Sequence, residues 1–202
     1  MFFWFKKEKT VKREIRIIGI DDAPFSKEKK GQVLVLGCIH RGGQAFEGLI
    51  SSYADVDGDN STEVLIQMIN KSKHKDQLQC IMTDGIAVGG FNIIDINELS
   101  SKTKLPVVVI MRNKPNIEKM KAALKNVPNY KEKQKLLMKA GKIYDAKLSS
   151  GSVIYFQCAG IDADKAREII KVAVSRGNMP EPVRTAHVIA SGLILGESRG
   201  RA

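Results

Sequence analysis

Asp21 and Asp84 share a setting: each closes an apolar, β-branched run. Asp21, with Asp22 after it, ends EIRIIGI (14–20), and Asp84, with Gly85 after it, ends LQCIMT (78–83). Such runs belong inside a sheet. If the two strands are neighbours, both carboxylates project to one edge, outside the strands' carboxyl ends, where α/β sheets take ligands. Carboxylates held together disfavour each other's ionised form unless a cation compensates. A hard ion such as Mg²⁺, with Mn²⁺ as an alternative, takes oxygen ligands and keeps several waters, so two or three acids suffice. It would activate water and offset charge on a phosphate, the chemistry of a metal-dependent nuclease. Gly85 lets the backbone turn sharply, and Gly89-Gly90 leaves room for a close approach. Asp84-Gly85 taken alone also reads as an ordinary turn.

A third acid is available in ADVDGDN (54–60), where Asp55, Asp57 and Asp59 alternate. A calcium loop is excluded, because a bidentate Glu is needed at its far end and Gln67 and Met68 stand near that place. Asp57 or Asp59 could complete a magnesium site; Asp59 reads equally as a helix cap. His187, in PEPVRTAHVIASG, has Val183, Ala190 and Ile194 on its side of a helix, so it reads as a satisfied, half-buried histidine, with a catalytic role as the alternative. Asp162 reads as the cap of the helix it opens.

These residues need elements to carry them. The runs 14–20, 31–39 and 44–56, the last two joined by RGG at 41–43, predict a three-stranded meander. Val64, Leu65, Met68 and Ile69 predict a helix over 59–71. A strand at 78–83, a helix over 91–102, and a strand at 105–111 follow. The basic stretch 116–140 reads as helical with a break at Val127-Pro128. A strand at 152–159, a helix over 162–175, and a helix opened by Pro182 and reaching about Leu195 close the order. Strands alternating with helices predict parallel strands covered on both faces. An antiparallel three-stranded meander extended by parallel strands is the layout of the ribonuclease H-like α/β fold.

At 202 residues and 43% hydrophobic content, the chain has the size of one globular domain with a self-supporting core, expected over 14–202 behind a basic and aromatic arm at 1–13. Cys38, Cys80 and Cys158 are odd in number, far apart and set in apolar stretches. They predict buried thiols in a reducing cytoplasm rather than disulfides or a zinc cluster. MFFWF at the start is followed, not preceded, by positive charge and is too short for a signal peptide or membrane span. It reads as a loose or self-packed terminus, or as an aromatic patch for a partner or an oligomer. The net charge is +11, and 112–147 holds eleven Lys or Arg against three acids. Such a field attracts a polyanion, DNA or RNA, unless it only solvates a helix surface.

Three runs, IRIIGIDDAPF, MTDGIAVGGFNIIDINEL and AHVIASGLILGESRGRA, closely resemble a largely archaeal family of unknown function, domain-of-unknown-function family 99, a relative of endonuclease V. The resemblance spans roughly Ile15 to Ala202 and implies an endonuclease V-like fold. Endonuclease V is a magnesium-dependent enzyme that cuts nucleic acid near deaminated adenine. Its Gly-x-Asp is similar to Gly19-Ile20-Asp21, its Asp-Gly to Asp84-Gly85, and its Leu-Pro-Glu-Pro-Thr-Arg to 179–184. The resemblance implies catalytic and metal-binding roles for Asp21 and Asp84, with Asp57 matching the intervening Glu. The family's strand-end lysine is met by Arg112. Where endonuclease V has His-Pro-Arg after its Asp-Gly, this chain has Gly90-Phe91-Asn92; where it has Gly-His-Arg after a late strand, this chain has Ala159-Gly160-Ile161. Its Pro-Tyr-Ile-Pro wedge has no counterpart.

The leading expectation is therefore a Mg²⁺- or Mn²⁺-dependent nuclease with metal ligands Asp21, Asp57 and Asp84, phosphate held by Arg112, Lys114 and Arg184, and Asp22 in support. One rival is a non-catalytic nucleic-acid or protein-binding module. Another is a hydrolase of a small phosphorylated metabolite, which a compact pocket beside Asp84 would favour.

Overall fold

The computed structural model describes residues 10–26 and 31–199. Strands β1 (Arg16–Asp22), β2 (Gln32–Arg41) and β3 (Ala45–Asp55) form the expected antiparallel meander. β4 (Cys80–Asp84) lies parallel to β1, with Ile20 opposite Thr83, and β7 (Val107–Met111) lies parallel to β4. The sheet is completed by β9 (Val153–Ala159) and β8 (Tyr144–Lys147), in the order β3-β2-β1-β4-β7-β9-β8. This is the mixed sheet that the sequence pattern predicts, with one strand reversed: β9 runs antiparallel to β7. The cause is β8, whose four residues YDAK are too short and too charged to stand out in the sequence. β8 takes the direction that the crossover from β7 imposes, and the hairpin into β9 turns the chain round.

Between β4 and β7 a second difference appears. The helix expected over 91–102 spans only Ile96–Thr103 (α2), because Asp95 caps it, accepting from the Asn97 and Glu98 N–H groups. The residues before it form a two-residue ribbon, β5 (Ala87–Val88) with β6 (Asn92–Ile93), bent at Gly89 and Gly90, both at positive φ. Asn92 is fully buried and anchors the ribbon: its Oδ1 accepts from the Ser61 N–H, and its Nδ2 donates to the Asp55 carbonyl and to Asn60 Oδ1.

Alternate residues of each strand feed two cores. Ile18 and Ile20 pack with Ile81, Val107 and Val109 under α1 (Ser61–Asn70), α2, α3 (Ile117–Leu124) and α4 (Tyr130–Lys139). Ile17 packs with Met82, Val108 and Ile110 under α5 (Ala163–Ala173) and α6 (Glu181–Leu195). The helices thus lie on both faces, as the alternation predicts. Asp162 caps α5 through the Lys165 N–H. The start of α6 lies hard against β1: a Cβ on Gly19 would run into the backbone of Pro182 and Val183. Only a glycine admits that approach. The run at 1–5 lies outside the described residues. Among the described residues no helix is long and apolar enough to cross a membrane.

Candidate metal centre

Asp21 and Asp84 meet because β1 and β4 are parallel neighbours in a register that brings their last residues side by side. α6 completes the group from the opposite side. Its contact at Gly19 sets the helix height, and one turn later His187 reaches the strand ends, Nδ1 2.8 Å from Asp21 Oδ2. One ligand atom from each of Asp21, Asp84 and His187 lies within 4.8 Å of the others. Asp21 is 6% exposed, and Asp84 and His187 are partly exposed. The third donor at this spot is the histidine, not Asp57.

The electrostatics of the group are strained. Burial pushes the Asp84 carboxyl up to about 6, the charge of Asp21 adds to the rise, and Arg112 and His187 oppose it. Asp22 is likewise raised to about 6, first by burial and then by Asp21. The hydrogen bond to Asp21 raises the His187 pKa despite its burial. His187 is half-buried as expected, but it is not satisfied, because Nε2 is buried without a hydrogen-bond partner. Of its expected neighbours Val183 and Ala190 are buried, whereas Ile194 is 51% exposed. Two carboxylates that cannot comfortably ionise together, with an imidazole ligand atom within 4.8 Å of both, fit a divalent cation. The mixed oxygen and nitrogen donor set suits Mn²⁺ at least as well as Mg²⁺.

Around this group Asp22 does structural work: its Oδ2 accepts from the Gly89 N–H at 3.1 Å, holding the glycine ribbon to the rim, and its own N–H donates to Asp21 Oδ1. Arg112, just past the end of β7, stands 3.9 Å from Asp84 Oδ2. Lys114 is exposed two residues further on. Arg184 differs from its expected place. Its guanidinium grips the buried Glu181 one turn back, Nε at 2.8 Å and Nη2 at 2.5 Å from the same oxygen.

The acids of 55–59 lie elsewhere. Asp57 has positive φ; its N–H donates to the Gly89 carbonyl and its Oδ1 accepts from the Phe91 N–H at 2.8 Å. Asp59 does not cap α1, where Asn60 is the N-cap; it binds Lys133 Nζ and Asn129 Nδ2, each at 2.6 Å. Asp55 Oδ1 accepts from Gln32.

A three-plus-parallel mixed sheet with carboxylates converging at its strand ends is the endonuclease V-like, ribonuclease H-type fold. In structure, Ciona intestinalis endonuclease V in complex with a 24mer DNA containing an inosine followed by a ribo-adenosine is similar with a TM-score of 0.59 at 12% identity, over 90% of this chain and 86% of that one. The chain itself belongs to the endonuclease dU family, whose model matches residues 13–194. It is 47% identical over 193 residues to a UPF0215 protein of Methanothermobacter thermautotrophicus, covering 95% of this chain and 94% of that relative. A protein of unknown function from Archaeoglobus fulgidus is similar in structure, with a TM-score of 0.80 and 40% identity, over 89% of this chain and 98% of that one. The archaeal family and the relation in fold to endonuclease V are as expected; the number 99 stays a resemblance.

Proposed function

We propose that this chain is a divalent-cation-dependent endonuclease of the cytoplasm that cuts nucleic acid beside a deaminated base, with deoxyuridine, after the family's description, as the first candidate. The observation that carries the reading is the group Asp21, Asp84 and His187, with one ligand atom from each within 4.8 Å of the others. Bound there, Mg²⁺ or Mn²⁺ would lower the pKa of a water and offset charge on the scissile phosphate. Asp21 and Asp84 hold the ion. His187, with Nδ1 2.8 Å from Asp21 Oδ2, fixes the orientation of that carboxylate beside Asp84. Asp57 acts one step back, fixing the Gly89-Gly90 ribbon, and Arg112 faces the phosphate beside Asp84.

Substrate is drawn in by the α3–α4 hairpin. Among the described residues Lys114, Lys119, Lys125 and Lys131 are exposed and make no ion pair, whereas Lys121, Lys133, Lys135 and Lys139 do. The same lysines favour the second reading, a non-catalytic nucleic-acid-binding module. A Mn²⁺-supplemented cleavage panel decides between them, run on single-stranded and duplex DNA and RNA carrying uracil or inosine, with the native chain beside Asp84→Asn. The expected result is cleavage by the native chain that falls by more than about a hundredfold in the variant, since even residues behind a metal ligand are worth 10–100-fold. Equal activity in both sinks the metal-centre reading. Salt-dependent binding with no cleavage assigns the chain to the binding module.

A further inference from the structure

The two edges of the sheet are built differently. β8 follows the usual protection of an edge: four residues, two of them charged. β3 does not. It runs eleven residues, AFEGLISSYAD, and its stretch Gly48–Ala54 carries no charge and no proline in a chain with 33 Lys and Arg. Phe46, Leu49 and Tyr53 are 50%, 43% and 57% exposed along it. Beside it, a groove of about 480 Å³ opens between Leu49–Ser52 and the end of α1, at Met68 and the following Lys71. Among the described residues no strand pairs with the outer side of β3.

We propose that a second copy of this chain adds to this edge, the two β3 strands running antiparallel about a two-fold axis at Ile50. The charge at the strand's ends chooses the occupant and its direction. At the start, Arg16 and Arg41 share the single acid Glu47, and Arg13 and Lys171 line a cavity with Gln44. At the finish stand Asp55, which is exposed, and Asp57. An edge positive at one end and negative at the other is complementary to its own copy only when the copy is reversed; a parallel copy would set like charges together. In the centred register Leu49 faces Ser51 of the second copy, and apolar side chains bridge the junction on both faces of the joined sheet.

The test is sedimentation equilibrium of the full chain over about 1–100 µM, a range that detects dimers of micromolar affinity. A dimer is expected, weakened at least about tenfold in Leu49→Lys/Ser51→Lys, which sets four lysines around the axis while leaving the circular dichroism melt of the monomer unchanged. Ile50→Cys supplies a readout independent of stability. Residues at an antiparallel two-fold have Cβ atoms about 4.5–5.5 Å apart, so mild oxidation should cross-link it to itself, and Tyr53→Cys should not. A native chain that is monomeric throughout overturns the proposal. So does a dimer indifferent to the lysine pair. Dimerisation only after removal of residues 1–9 would assign the edge to the chain's own N-terminal segment, and would equally overturn it.

Discussion

Two acidic regions of this molecule invite comparison. The turn 55–59 has three aspartates in five residues, whereas the candidate centre is assembled from single acids sixty-three positions apart and one histidine. By density the turn should be the metal site. In the structure each of its carboxylates is already engaged: Asp55 by Gln32, Asp57 by the Phe91 N–H, Asp59 by Lys133 and Asn129. At the strand ends the balance is reversed, with Asp22 and Asp84 raised to about 6 and the Nε2 of His187 left without a partner. Acids satisfied by their neighbours build a turn. Acids left in mutual conflict, in a place the fold insists on, are poised to take something from solution.

The sharpest way to break that contrast is Asp21→Asn, which removes one ligand's charge and the partner of His187 together. Mn²⁺ binding, read by titration calorimetry or by the electron paramagnetic resonance signal of free Mn²⁺, should weaken by more than about a hundredfold. Unchanged binding would move the metal away from the strand ends. Next in size is Lys133→Met, which takes a fully buried ammonium from between the Gly58 carbonyl and Asp59. Because Asp59 is half exposed and can rehydrate, the loss should be about 1–3 kcal/mol in denaturant unfolding, at the low end for a buried pair, with Mn²⁺ affinity intact. A large fall in affinity would tie the turn to the centre. The smallest effect belongs to Asp57→Asn. The amide oxygen can still accept from the Phe91 N–H, so stability should change by less than about 0.5 kcal/mol and Mn²⁺ affinity by no more than about twofold. A loss beyond about tenfold would make Asp57 a ligand after all and erase the contrast.

Much of this arrangement is legible from residues alone, and what escapes does so for physical reasons. Apolar β-branched runs ending in an acid marked the ends of β1 and β4, and helical spacing marked α1, α5 and α6, because burial on one side leaves a period in the sequence. The direction of β9 left no such mark: it depends on β8, four residues whose pairing is tertiary. The ribbon at 87–93 was hidden by isoleucines that suit a helix face as well as a buried turn. The unpaired nitrogen of His187 is a property of what surrounds α6, which no local pattern encodes. Arg184 is different, since Glu181 stands three residues before it, a spacing that pairs side chains on any helix, and that signal was present to be read.

The close contact between Gly19 and the start of α6 joins the first strand to the last helix, so Asp21 and His187 become neighbours across 166 positions. During synthesis both aspartates emerge and can enter the sheet well before residue 187 leaves the ribosome. A nascent chain therefore carries the strand-end acids without the imidazole that closes the group, and the three side chains meet only once α6 has docked. The order of the elements makes the candidate centre a late product of folding, complete only when the last helix has closed on the first strand.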